Sequence, residues 1–182
     1  MSAVAAPPPI TVEEFLKLPD RDRYEVIDGE LRERKEMSLE SSKVAAKAVR
    51  DLDIFSDDHG GDAFGSDAIF RAFGESGEDM RRPDASYVVD GRIEDITAGV
   101  GWFAPDLAVE VVSPNDSAYD VADKVADYRR AGVRMIWVVW PSTREVEVIE
   151  GGRREWLSES DTITGSDILP GFELPVAKLF AK

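Results

Sequence analysis

The chain has 182 residues, 43% hydrophobic and 32% charged, which suits one domain with a full apolar core. It contains no cysteine, which excludes disulfides and thiolate metal sites and is compatible with a reducing, cytoplasmic compartment. A formal charge of −15 argues against broad, nonspecific nucleic-acid binding, but charge effects fade over about 8–10 Å in salt, so a local basic site is not excluded.

No apolar run approaches the ~18 residues of a membrane span. The segment Met1–Pro9 lacks the positive start and apolar core of a secretory signal. Residues 1–10 read as a flexible Pro-rich leader, and 11–182 as a single domain. Thr11 followed by Glu14 is a capping box, which opens a short helix that stops at Pro19. Asp28-Gly29 between Tyr24–Ile27 and Glu30–Arg34 is a two-residue hairpin signal, since both positions tolerate positive φ. Ser38 caps a predicted helix to about Leu52, with Val44, Ala48 and Leu52 on one face. Asp57–Gly61 reads as a loop, and His59, the only histidine, as an exposed loop residue.

Strands are predicted at Ala68–Phe73 and Arg81–Val89, separated by a Gly74–Met80 loop. Asp106–Pro114 is a strand apolar on both faces, followed by turn and capping residues at Pro114–Ser117 and a helix over Asp120–Ala131. Gly132 fits the position after a helix end. Val133–Trp140 is a nearly continuous apolar run, as in a strand buried on both faces. Arg144–Glu150 alternates as an edge strand, and the Ile168–Pro175 tail packs back on the domain. The order predicts an α/β fold, a mixed sheet flanked by helices.

Glu110 is the residue out of place. A carboxylate is a poor strand former, and burying it unpaired costs several kcal/mol, which chains tolerate where it does chemistry or holds a metal. Taken alone, a Glu satisfied by an Arg or Lys is the simpler reading. Asp84, just after Pro83, opens another strand, where proline is tolerated because its missing N–H is not needed. On the following helix Val121, Val125 and Tyr128 mark the inward face, and Lys124 falls on it. A lysine there ordinarily snorkels to water. Together, two carboxylates and a lysine suit metal-assisted phosphodiester hydrolysis, with Mg²⁺ or Mn²⁺ taking one or two carboxylates. The lysine would orient water or stabilise developing charge. Whether Asp84 meets the Glu110 face depends on strand pairing. Basic residues cluster at Arg32, Arg34 and Lys35, at Arg81 and Arg82, at Arg129, Arg130 and Arg134, and at Arg153 and Arg154. The ordinary reading of each cluster is a solvated face, kept as the default for Arg153 and Arg154, while the pair Arg81-Arg82 leads directly into Asp84.

These residues resemble the putative restriction endonuclease family of the Uma-two type, in the PD-(D/E)XK nuclease superfamily. The likeness runs through Tyr24–Leu31, Arg82-Pro83-Asp84, Pro105–Pro114, Asp120, Lys124, Tyr128, Gly132, Trp137 and Leu169–Phe172. It implies a restriction-endonuclease-like core with Asp84 and Glu110 as divalent-metal ligands. The superfamily's lysine normally lies two residues after the second acid, here Val112, so its role would fall to Lys124. Two departures stand out: the stretch Glu40–Lys43 has no histidine, and Trp140 stands where an acid is usual. Glu25 and Asp28 are read mainly as hairpin residues, with Glu25 bordering the site as the lesser option.

The expected function is a divalent-metal-dependent DNA endonuclease with Asp84, Glu110 and Lys124 as catalytic residues. The alternatives are a nuclease-fold binding or regulatory protein that does not cut, and a phosphodiesterase acting on a small substrate. A two-carboxylate glycosidase leaves Lys124 unexplained. A homodimer is compatible with cutting both strands of a duplex, and no membrane partner is expected.

Overall fold

The computed structural model describes residues 9–93, 96–97 and 99–181. The leader expected at 1–10 therefore lies mostly outside the described residues. Thr11 forms the full capping box with Glu14 and opens α1 (Val12–Leu16). The hairpin of β1 (Tyr24–Ile27) and β2 (Glu30–Glu33) turns at Asp28 and Gly29, whose φ values are 53° and 75°.

Ser38 caps α2, which spans Leu39–His59 and so runs past Leu52. Nothing in Asp53–His59 breaks a helix, and Phe55 earns the added turns by packing on Tyr87 and Phe172. Gly60, at φ 74°, ends the helix. The expected loop at Asp57–Gly61 is thus the last helical turn plus a glycine pair. His59 is exposed and stacks on Phe55 with ring centroids 4.0 Å apart.

Strands β3 (Asp62–Gly65), β4 (Ile69–Phe73), β5 (Asp79–Arg81) and β6 (Ala85–Val88) follow. The single strand expected over Arg81–Val89 is split at Arg82-Pro83-Asp84, because β5 and β6 belong to different sheets. Proline cannot donate to a ladder, so the chain changes sheets there. After β7 (Ile96–Thr97) and β8 (Val100–Gly101) come β9 (Leu107–Val111), α3 (Ala118–Arg130) and β10 (Met135–Trp140). The chain closes with β11 (Glu145–Glu150), β12 (Arg153–Leu157), β13 (Thr162–Thr164), β14 (Glu173–Pro175) and α4 (Val176–Phe180).

The central sheet has the order β12-β11-β10-β9-β6-β3. Only its β9–β10 pair is parallel, as the α3 crossover requires. A second mixed sheet, β2-β1-β5-β4-β8-β7, and the small β13–β14 pair complete the fold. β11 is therefore internal and β12 is the edge. This explains why Glu147 is buried, bonded to Arg154 of β12 at 2.7 Å.

Alternation along β9 assigns the two faces of the central sheet. Leu107, Val109 and Val111 join Trp137 and the apolar side of α2 and α4 in one core cluster. Ala108 joins Ile136 and Val138, Val125 and Tyr128 of α3, and Phe70 and Phe73 of β4 in the other. Glu110 has the parity of Ala108 and so points toward α3. Among the described residues no helix is long and apolar enough to cross a membrane.

Candidate active site

Strand pairing settles where Asp84 points. β6 and β9 run antiparallel with Ala85 opposite Val109 and Ser86 opposite Ala108. One step further along that register, Asp84 stands opposite Glu110, and opposite residues share a face. The Val111 N–H donates to Asp84 Oδ2 at 2.8 Å, which fixes the aspartate against β9. Both acids are buried, Asp84 at 7% and Glu110 at 5% exposure.

α3 brings the counter-charge. Ser117 and Asp120 form a capping box that fixes its start. Lys124 Nζ donates to Glu110 Oε2 at 2.6 Å, and the Tyr128 hydroxyl donates to Glu110 Oε1. Lys124 and Tyr128 are four residues apart, one above the other on the helix. Both glutamate oxygens are therefore held from one helical face. Of Asp84, only Oδ2 is so engaged.

Burial pushes the Asp84 carboxyl up to about 7, and Glu110 adds to that push against the opposing pull of Lys124 and the Val111 N–H. Burial opposes the Lys124 charge too, but Glu110, Glu25 and Asp84 outweigh it and hold the ammonium above its ordinary range. Burial, and then Glu110, raises the Tyr128 phenol well above its usual value. At neutral pH, Lys124 is thus a fixed cation and Tyr128 a neutral donor.

A cavity of about 470 Å³ opens over these groups, lined by Asp84, Glu110 and Lys124 together with Glu25, Arg32 and Arg34. Glu25 is buried at its wall and is more than a hairpin residue. It accepts from Arg81 Nη1 at 3.1 Å and from the Arg82 N–H at 2.8 Å. Arg81 also donates through Nε to Asp127 of α3 at 3.1 Å. Arg82 spends its guanidinium on the carbonyls of Tyr24 and Asp67. The two arginines leading into Asp84 are structural: they clamp the segment between the sheets rather than offer free charge.

The fold places Asp84, Glu110 and Lys124 side by side, a meeting that the sequence left to strand pairing, and it adds Tyr128, which the sequence marked only as part of the inward helical face. Its helical spacing from Lys124 was the available signal. In the stretch Glu40–Lys43, Ser41 is buried and its Oγ lies 3.3 Å from Ser113 Oγ and from the Val112 carbonyl. Trp140, the other departure, packs on Trp156 at 6.0 Å.

The family described as putative restriction endonuclease, Uma2, matches residues 12–177. The chain belongs to this family. The Uma2 match spans the hairpin, both acids, α3 and the Leu169–Phe172 tail. A crystal structure of a putative nuclease belonging to DUF820, from Anabaena variabilis ATCC 29413, is similar at a TM-score of 0.79 and 23% identity. The likeness covers 94% of this Uma2 chain and 98% of that one, and establishes a shared fold. Among curated proteins, none matches.

Two carboxylates, one with an oxygen free of hydrogen bonds, suit a hard divalent cation that keeps most of its waters. Among the described residues no three His, Cys, Asp or Glu side chains cluster as metal ligands, so the acid pair stands without a third such ligand.

Proposed function

We propose that this chain is a divalent-metal-dependent DNA endonuclease that hydrolyses phosphodiester bonds. One observation carries the reading: Asp84 and Glu110 stand opposite each other on adjacent strands, with a lysine ammonium on the same cavity wall. Membership in a family described as putative restriction endonuclease supports it.

Asp84 and Glu110 would hold Mg²⁺ or Mn²⁺, which when bound polarises the phosphoryl oxygen and lowers the pKa of water beside it. The chain's own residues set the rest. Asp84 is pinned by the Val111 N–H, so it presents a carboxylate at a fixed place without reorganisation. Tyr128 and Lys124 fix the Glu110 rotamer from both sides. Lys124 keeps its proton, so it acts as a point cation toward the charge that builds on the phosphoryl group and not as the base that activates water.

A second reading, a nuclease-fold protein that binds without cutting, is favoured by one feature. Both Glu110 oxygens are already taken by Lys124 and Tyr128. Nicking of supercoiled plasmid with Mg²⁺ or Mn²⁺, beside Glu110→Gln prepared identically, separates the two. Nicking by the parent alone supports the endonuclease. Calorimetric metal binding by the parent without nicking moves the assignment to the binding protein.

A further inference from the structure

The cations around the cavity are not equivalent. Arg81 is committed to Glu25 and Asp127, Lys124 to Glu110, and Lys35 to Asp120 at 2.6 Å. Arg32 meets Glu30 at 2.9 Å, but both side chains are 61% exposed, and such surface pairs contribute little. Arg34 makes no ion pair with any described residue. Among the described residues its guanidinium makes one hydrogen bond, from Nη1 to the Asp22 carbonyl at 3.4 Å.

The hairpin register aims both arginines inward. Glu25 and Arg32 are direct cross-strand partners and so share a face. The Arg34 N–H bonds the Arg23 carbonyl at 2.8 Å, which continues the ladder one step beyond Tyr24–Glu33. Arg34 therefore has the parity of Arg32, and both line the cavity that holds Asp84 and Glu110. An unspent planar fork of donors beside a phosphodiester site matches a phosphate in charge and in bidentate geometry.

We propose that the cavity-facing edge of β2 grips the DNA phosphate backbone, with Arg34 on the phosphate at the acid pair and Arg32 on its neighbour. The placement rests on the endonuclease reading of Asp84 and Glu110. Arg32 is released from Glu30 at little cost, so DNA can recruit it. Asp28, Glu33, Asp116, Asp120 and Asp123 line the same cavity, so attraction for a polyanion is confined to this edge, within a screening length. With about two phosphates neutralised, log affinity falls with log salt at a slope of about −1.8.

The test is fluorescence anisotropy of a short labelled duplex with the full chain in Ca²⁺, across a salt series. Arg34→Ala is expected to weaken binding at least about tenfold and to flatten the salt slope by about one. Arg34→Lys, which keeps the charge but loses the fork, falls between parent and Ala. Arg153→Ala on β12 leaves binding unchanged. Calorimetric Mn²⁺ binding by Arg34→Ala at parental strength or tighter shows that the fold and the acid pair are intact. Parental DNA affinity in Arg34→Ala overturns the grip, as does a parent that fails to bind the duplex. The endonuclease reading is scored separately, by Mn²⁺-dependent hydrolysis of bis(p-nitrophenyl) phosphate by the parent against Glu110→Gln. DNA binding that depends on Arg34, without hydrolysis, keeps the grip and removes the enzyme. Hydrolysis of the ester with DNA binding indifferent to Arg34 does the reverse.

Discussion

Glu110 is held by a phenol and an ammonium, and these two donors are expected to fail differently. Tyr128→Phe keeps the ring against Phe73, 5.4 Å away, but leaves Glu110 Oε1 without its donor. An unsatisfied buried acceptor costs about 1–3 kcal/mol, so calorimetry should show a lower Tm with the fold retained. Lys124→Met removes the cation that a divalent ion would have to compete with. Metal affinity by titration calorimetry should be equal or higher, while turnover falls about 100-fold or more as the charge-stabilising group is lost. An equal fall in both would show that Lys124 supports binding rather than chemistry. Asp84 sets the pH dependence. Its carboxyl sits at about 7 in the folded chain, above the ordinary value of about 3.9. Protonated Asp84 therefore favours the metal-free folded state at acid pH, and that contribution is lost as pH rises through about 7. Metal must displace this proton, so Mn²⁺ affinity should rise up to about tenfold per pH unit below 7 and level off above it. In Asp84→Asn the rise should vanish.

Between elements, the site depends on a buried charge network that ties the two sheets to α3. Arg81 of β5 reaches Glu25 of β1 and Asp127 of α3, with the Arg81 and Asp127 side chains only 8% and 7% exposed. Arg82 bonds backbone carbonyls on both sides of the crossing, and Pro83 interrupts the ladder between them. This clamp is what delivers Asp84 to its place opposite Glu110. Removing one partner of a buried ion pair costs about 3–5 kcal/mol because the other charge is stranded. Asp127→Ala should lower the unfolding free energy by that amount in urea titration, and should weaken metal binding although Asp127 touches neither acid. A loss of stability with metal affinity intact would mean that the clamp holds the fold but not the site. Alternation along β9 places Val109 and Val111 in the cluster on the α2 side and turns Glu110 toward α3.

For the whole molecule, a charge of −15 means that like charges repel in the compact state. Raising monovalent salt from low to near-molar should therefore raise Tm, by about 2–4 °C for each kcal/mol of repulsion screened. DNA affinity should move the opposite way across the same series, because the attraction is local. A divalent ion that binds only the folded chain should add a Tm increase that grows with the logarithm of its concentration and is absent in Glu110→Gln.

Local chemistry was legible from the sequence because it is decided within a few residues. The Thr11 capping box, the Asp28-Gly29 turn and the Ser38 and Ser117 caps all formed as their residues dictate, and the apolar run expected over Val133–Trp140 became the buried strand Met135–Trp140. So was the anomaly of a glutamate in an apolar strand, since an expensive burial stands out against its neighbours. The end of α2 was less legible, because Phe55 holds the last turns by contacts with Tyr87 and Phe172, far away in the chain. The split of Arg81–Val89 between two sheets, and the edge position of β12 instead of β11, depend on which strands meet. The sequence by itself determined which residues carry charge and which face of each element they occupy, since helix and strand periods are properties of the local backbone. Only the tertiary structure decided that Asp84 stands opposite Glu110, that Tyr128 completes its cage and that Arg34, among the described cations lining the cavity, is the one outside an ion pair. Pairing across long loops is fixed by the summed burial of both sheets and not by any one segment.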